Sequence, residues 1–136
     1  MFRNRLLRFA PVAATALLAV LAAPAGAAPR TAPPAAVLVL TSNPGENVTP
    51  TARRVVLTCA PDNGSHPLPV AACAVLASTG GYISALRVDR DAICPLIYDP
   101  VTVSSTGTWQ GRQVREQITF PNRCVLIAET GPVFRF

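Results

Sequence analysis

Short apolar runs alternate along the chain with stretches dense in proline, glycine and asparagine, a pattern that suits a small sheet with tight connections better than long helices. Residues 35–41 (AAVLVLT) are β-branched and leucine-rich and predict a strand. Its alternate faces, Val37 and Val39 against Leu38 and Leu40, are both apolar, so the core covers one face and a partner subunit is a candidate cover for the other. Residues 42–50 read as a turn-rich connector, and 53–60 (RRVVLTCA) as a second strand. The run 61–69 (PDNGSHPLP) is rich in breakers and reads as loop. From 70 to 78 the period changes. Val70, Cys73, Ala74 and Ala77 fall at i, i+3, i+4 and i+7, the stripe of a short helix, and Gly80-Gly81 stops it.

Residues 82–86 are weakly extended and lead into a charged run of Arg87, Asp89, Arg90 and Asp91. Beyond the segment 94–100, residues 101–105 and 109–120 predict a hairpin turning at Thr106-Gly107. In the longer arm Val114, Ile118 and Phe120 share one face, with Arg115, Gln117 and Thr119 on the other. Residues 121–123 turn the chain, 124–129 predict one or two helical turns stopped by Gly131-Pro132, and 133–136 end it as an edge strand. About five strands and two short helices without βαβ alternation give an antiparallel α+β sandwich.

The first 27 of the 136 residues have a different pattern. Arg3, Arg5 and Arg8 precede an apolar run from Val12 to Ala23, and Ala25-Gly26-Ala27 supplies small residues of the A-x-A type. This predicts a secretory signal peptide over 1–27, cleaved after Ala27. A membrane anchor is the competing reading, but the run is shorter than the ~20 residues of a spanning helix and Pro24 interrupts it. Residues 28–34 then form a loose proline- and alanine-rich arm, and 35–136 the folded domain of a secreted, extracellular protein with no membrane partner after cleavage.

Removing that segment changes the charge argument. Nine arginines face seven acidic residues, a net of +2, and no lysine occurs anywhere. The arginines are scattered rather than clustered, so the pI near 9.7 makes no case for a nucleic-acid partner. Cys59, Cys73, Cys94 and Cys124 show no C-x-x-C spacing and His66 is the sole histidine, which argues against a structural zinc site. In an oxidising compartment four cysteines read as two disulfides. Three pairings are possible; the sequential one, Cys59–Cys73 with Cys94–Cys124, is favoured, though spacing alone does not choose.

The segment Cys94-Pro95-Leu96-Ile97-Tyr98-Asp99-Pro100 sets three bulky side chains between two prolines. Proline fixes its own φ and pushes the preceding residue toward extended geometry. The segment therefore predicts a stiff, exposed bow, and a bridged Cys94 would tie it to the body of the protein. Apolar side chains on such a loop suit the active site of a protease. The rival reading is an ordinary crossover whose Leu96 and Ile97 fold into the core; a buried loop would have to find partners for its backbone polar groups.

Other candidate chemistry is thin. A hydrolase needs a nucleophile, a base and an orienting group together. His66 in Gly-Ser-His-Pro reads instead as a loop histidine bonded to nearby backbone. Gly107-Thr108-Trp109-Gln110-Gly111 lacks the pattern and lysine of a phosphate loop, so its glycines are assigned to hairpin turns. Trp109 is assigned to sheet packing or a subunit contact. Asn47-Val48-Thr49 and Asn63-Gly64-Ser65 match the glycosylation sequon, a short pattern with many chance matches. No cofactor or metal site is expected, and no enzymatic activity.

Taken in order, Val37 to Thr41, Leu57 to Pro61, Gly64 to Pro67, Ala72-Cys73, Gly80-Gly81, Cys94-Pro95, Tyr98 to Val101, Trp109 to Gly111, Phe120, Asn122, Cys124 and Val133 to Phe136 resemble the Streptomyces subtilisin inhibitor family across nearly all of the chain after residue 27. The resemblance implies a five-stranded antiparallel sheet with two helices on one face, disulfides Cys59–Cys73 and Cys94–Cys124, and a homodimer formed through the sheet. It also implies a secreted serine protease inhibitor whose loop binds as a substrate would. Position by position, Leu96 enters the primary specificity pocket and Leu96–Ile97 is the scissile bond. Ile93, Cys94, Pro95, Tyr98 and Asp99 then complete the contact, and Asn122, two residues before Cys124, braces the loop backbone from behind. Leu96 suits subtilisin-like pockets, with chymotrypsin-like ones as the alternative. Two rivals are a small secreted enzyme and a secreted interaction or structural protein on the same scaffold without inhibition.

Overall fold

The computed structural model describes residue 26 and residues 32–136. Apart from Gly26, the expected signal peptide lies outside the described residues, as do positions 28–31 of the arm. Five strands form one sheet: β1 (Ala36–Pro44), β2 (Arg53–Cys59), β3 (Asn63–Gly64), β4 (Val101–Trp109) and β5 (Arg112–Phe120). Their spatial order is β3-β2-β1-β4-β5, and every pairing between them is antiparallel. Helix α1 (Pro69–Ala77) follows β3, helix α2 (Arg123–Thr130) follows β5, and a short 3-10 helix, Gly131–Phe134, comes last. This is the α+β class expected from the sequence.

The pleat decides which side carries the core. Ala36, Leu38 and Leu40 on β1, Val55, Leu57 and Cys59 on β2, Val103 on β4, and Val114 and Phe120 on β5 are all buried. Ala72, Cys73 and Leu76 of α1, Leu126 of α2, and Val133 and Phe134 pack in the same cluster. On the other side of β1 and β2, Val37 and Val56 are exposed and Val39 is partly so. The Cys59–Cys73 disulfide ties α1 to β2 with α-carbons 5.7 Å apart. The second disulfide is Cys94–Cys124.

Several elements differ from the sequence expectation. β1 runs three residues beyond Thr41, to Pro44, because its partner β4 continues alongside it, with Pro44 opposite Val101. The hairpin turns at Gln110-Gly111, not Thr106-Gly107. Gln110 (φ 47°) and Gly111 (φ 79°) both have positive φ, as a two-residue turn matched to strand twist requires. Gly107 (φ 148°) lies within β4, where an added Cβ would stand 2.0 Å from the Val37 carbonyl oxygen. Its glycine serves close strand approach rather than a turn.

The chain end is a 3-10 helix instead of an edge strand, with consecutive Val133 and Phe134 both buried, which an alternating edge strand could not achieve. The edge next to β2 is Asn63–Gly64, inside the run read as loop. Residues 82–86 form turns, anchored where the Glu116 carboxylate accepts from the Ile83 and Ser84 amides at 2.6 and 3.3 Å. Helix α1 exists but is rotated: Ala72, Cys73 and Leu76 face inward, while Val70, Ala74 and Ala77 are exposed. With apolar residues all round, its periodicity does not choose a face; the bridge to Cys59 does.

Candidate functional site

The bow leads from the charged run at 87–91, which lies against the end of α2, into the start of β4, and its two ends are fastened separately. Upstream, the Val88 amide donates to Glu129 O at 3.0 Å and the Asp89 amide to Ala128 O at 2.8 Å. An Arg87–Glu129 ion pair at 3.4 Å lies beside them, and Asp89, Arg90 and Asp91 stay in water. Downstream, the Asp99 amide donates to Pro121 O at 2.9 Å and the Gly45 amide to Pro100 O at 2.7 Å. Between these anchors Ile93, Leu96, Ile97 and Tyr98 are exposed, Leu96 fully so. Leu96 and Ile97 do not fold into the core, which disposes of the crossover reading.

The middle of the bow is held by two side chains from the start of α2. Cys124 bridges Cys94 with α-carbons 5.6 Å apart. Asn122, only 4% exposed, donates through Nδ2 to Pro95 O and to Ile97 O, both at 3.1 Å. Its Oδ1 accepts from the Val125 amide at 3.0 Å and so caps α2. One buried amide thus satisfies a helix terminus and two carbonyls that flank Leu96. The cap fixes the rotamer, and the fixed rotamer aims both N–H groups at the bow. Cys94, Pro95, Leu96, Ile97, Asp99, Asn122 and Cys124 all meet in this one assembly, and Ile93 projects just ahead of it.

A further contact has no local signal in the sequence. The Tyr98 hydroxyl donates to Glu46, in the connector between β1 and β2, 52 residues away. This hydrogen bond first, then partial desolvation and the nearby negative charge, raise the Tyr98 phenol above the ordinary 10.0.

Nothing in the bow resembles hydrolytic machinery. His66 is buried, with Nε2 3.0 Å from Val133 O and Nδ1 accepting from the Leu68 amide at 3.0 Å, and its ring packs edge-on against Phe136. Both nitrogens are committed to the fold. Among the described residues Cys59, Asp62 and Cys73 form the one His/Cys/Asp/Glu cluster, and both sulfurs belong to a disulfide. Trp109 is buried, its ring packed where Gly81 leaves room; a Cβ there would lie 2.6 Å away. No helix among the described residues is long and apolar enough to cross a membrane. What the assembly offers chemically is a peptide whose backbone is held by Asn122 and the Cys94–Cys124 bridge and whose side chains are bare.

The family model described as subtilisin inhibitor-like matches residues 34–122. The chain is 52% identical over 103 residues to subtilisin inhibitor-like protein 5 of Streptomyces fradiae, covering 73% of this chain and 95% of that one. It is 43% identical over 129 residues to a subtilisin inhibitor of Streptomyces albogriseolus, covering 93% and 89%. Among solved structures it is similar to Streptomyces caespitosus sermetstatin, crystallised in complex with Bacillus licheniformis subtilisin. The TM-score is 0.60 at 37% identity, covering 74% of this chain and 98% of that one.

Proposed function

The chain belongs to the subtilisin inhibitor-like family, and from that premise we propose that it inhibits subtilisin-like serine proteases by offering residues 93–99 as a substrate-like peptide. In this reading Leu96 fills the primary specificity pocket and Leu96–Ile97 is the scissile bond, with Ile93, Cys94, Pro95, Tyr98 and Asp99 contacting the enzyme. A chymotrypsin-like protease is a second target, because its pocket also takes large apolar groups. The observation that carries the reading is a fully exposed Leu96 on a backbone gripped on both sides of it by buried Asn122.

Burying Leu96 in an apolar pocket is worth roughly 1.5–3 kcal/mol. Extended backbone pairing with the enzyme adds register. The larger gain is preorganisation: a bow already extended and bridged loses little entropy on binding. If the bond is cut, the Cys94–Cys124 bridge and Asn122 keep the new ends together, so religation competes with hydrolysis. The decisive measurement is titration of subtilisin with the purified protein against a chromogenic peptide. Activity should fall linearly to near zero at equivalence; full activity at equivalence would remove the proposal and leave a non-inhibitory scaffold.

Two further readings accompany it. Residues 1–27 act as a secretory signal, leaving an arm at 28–34 and the inhibitor domain at 35–136, which N-terminal sequencing of protein from culture medium would check. Two copies pair through the open sheet face, where Val37, Val39 and Val56 stand together across β1 and β2. Sedimentation should then give about twice the monomer mass.

A further inference from the structure

Asn122 and the disulfide hold the bow up to Ile97 and the Asp99 amide is fixed to Pro121 O, while the Tyr98 side chain between them reaches another part of the chain. Tyr98 is exposed, yet its hydroxyl is committed to Glu46. The connector that carries Glu46 is itself fixed. Thr102 Oγ1 donates to Gly45 O at 2.7 Å, and the Gly45 amide donates to Pro100 O at 2.7 Å. Buried Asn43 donates to Asn47 O at 2.6 Å and accepts from Thr49 Oγ1 at 2.7 Å. Glu46 therefore sits between a buried side chain on one side and the start of β4 on the other. Among the described residues it is the charged group that contacts the Tyr98 phenol.

We infer that Glu46 is a positioning residue for the reactive bond, holding Ile97 and Tyr98 in place through the Tyr98 hydroxyl. The inference rests on the inhibitory reading above. Within that reading, cleavage leaves Leu96 as an acyl-enzyme and Ile97 with a free amine. Attack of that amine on the acyl carbon re-forms the peptide bond and expels the enzyme's serine, which regains its proton; attack by water completes hydrolysis. Anchoring Tyr98 keeps the amine one residue from a fixed point, which favours the first outcome. An exposed hydrogen bond contributes little to global folding, so the effect is local to the loop.

The test uses Glu46→Ala and Glu46→Gln in a Tyr82→Phe background, where Tyr98 is the remaining tyrosine. Absorbance titration of the free protein reads the contact, and slow cleavage at Leu96–Ile97 during incubation with subtilisin reads its consequence. Glu46→Ala should bring the Tyr98 midpoint back toward 10.0 and speed cleavage about two- to tenfold at unchanged Tm. Glu46→Gln, which keeps an acceptor, should recover most of the slow cleavage. An unmoved midpoint, or cleavage as slow as in the parent, would overturn the inference. If the parent protein leaves subtilisin fully active, the inhibitory reading fails on its own account, while the midpoint still reports whether Glu46 holds Tyr98.

Discussion

Asn122 Nδ2 lies 3.1 Å from Ile97 O, a hydrogen bond running from a buried helix cap to the backbone of an exposed loop. The same amide has two separable duties. Asn122→Asp keeps an oxygen for the Val125 amide but loses both donors to Pro95 O and Ile97 O. Its helix cap should survive, while cleavage at Leu96–Ile97 rises at least tenfold, with each lost bond worth about 1 kcal/mol. Asn122→Ala should show the same cleavage plus a loss of about 0.5–2 kcal/mol of stability from the missing cap. Mass spectrometry of the digest and thermal unfolding separate the two effects. Unchanged cleavage in both variants would remove Asn122 from the mechanism.

The two disulfides should differ in what their removal does. Cys94 and Cys124 are 30 residues apart in sequence, and Cys59 and Cys73 are 14 apart. In the chain-entropy model each bridge is worth about 3–4 kcal/mol. Double serine replacement of either pair should therefore lower stability by a similar amount. Only loss of Cys94–Cys124 frees the bow, so only that variant should turn from inhibitor into rapidly digested substrate while still folded. Equal digestion of both variants below their unfolding transitions would contradict this.

Much of this was legible in the sequence because it depends on local chemistry. The prolines around Leu96-Ile97-Tyr98 and the apolar alternation of residues 35–41 point to an exposed bow and a strand without any tertiary information. What failed was where two local answers were equally good. Gly107 and Gly111 both fit a hairpin turn, and the choice is made by β1, whose Val37 carbonyl leaves no room for a Cβ at position 107. Helix α1 offers apolar stripes in two directions, and its bridge to Cys59 chooses one. Val133 to Phe136 looks like a strand by composition, but burial of two consecutive residues selects the 3-10 helix. In the site, Asn122 is visible through its nearness to Cys124, whereas Glu46 lies in an unremarkable connector and reaches Tyr98 only after the sheet has formed.

Specificity should follow the side chain at position 96. Leu96 is fully exposed and is absent from the core, so replacing it costs the fold nothing. A trypsin-like pocket ends in a buried carboxylate and wants a cation, whereas subtilisin- and chymotrypsin-like pockets accept large apolar groups. Leu96→Lys should raise trypsin inhibition by about two orders of magnitude or more at unchanged Tm, the equivalent of roughly 3 kcal/mol. Inhibition constants for trypsin, chymotrypsin and subtilisin measured side by side would show the exchange. An unaltered profile would mean that another surface meets the protease.

The Tyr98–Glu46 contact should also give the loop a dependence on alkaline pH. Only the protonated phenol can donate to the carboxylate; the phenolate would repel it. The folded protein holds Tyr98 protonated beyond the ordinary 10.0, chiefly through this hydrogen bond. A raised folded value means that the contribution is fully present below 10.0 and is lost as the pH climbs through the folded midpoint. Subtilisin's own rate changes over the same range, so the useful quantity is the ratio of cleavage rates for Glu46→Ala and the parent protein. That ratio should be constant and above one between about pH 8 and 9, then fall toward one as Tyr98 ionises. In a Tyr98→Phe background the ratio of rates with and without Glu46→Ala should be near one throughout, since there is no donor to lose. A ratio that stays high through the ionisation of Tyr98 would show that Glu46 acts on the loop by some route other than the phenol.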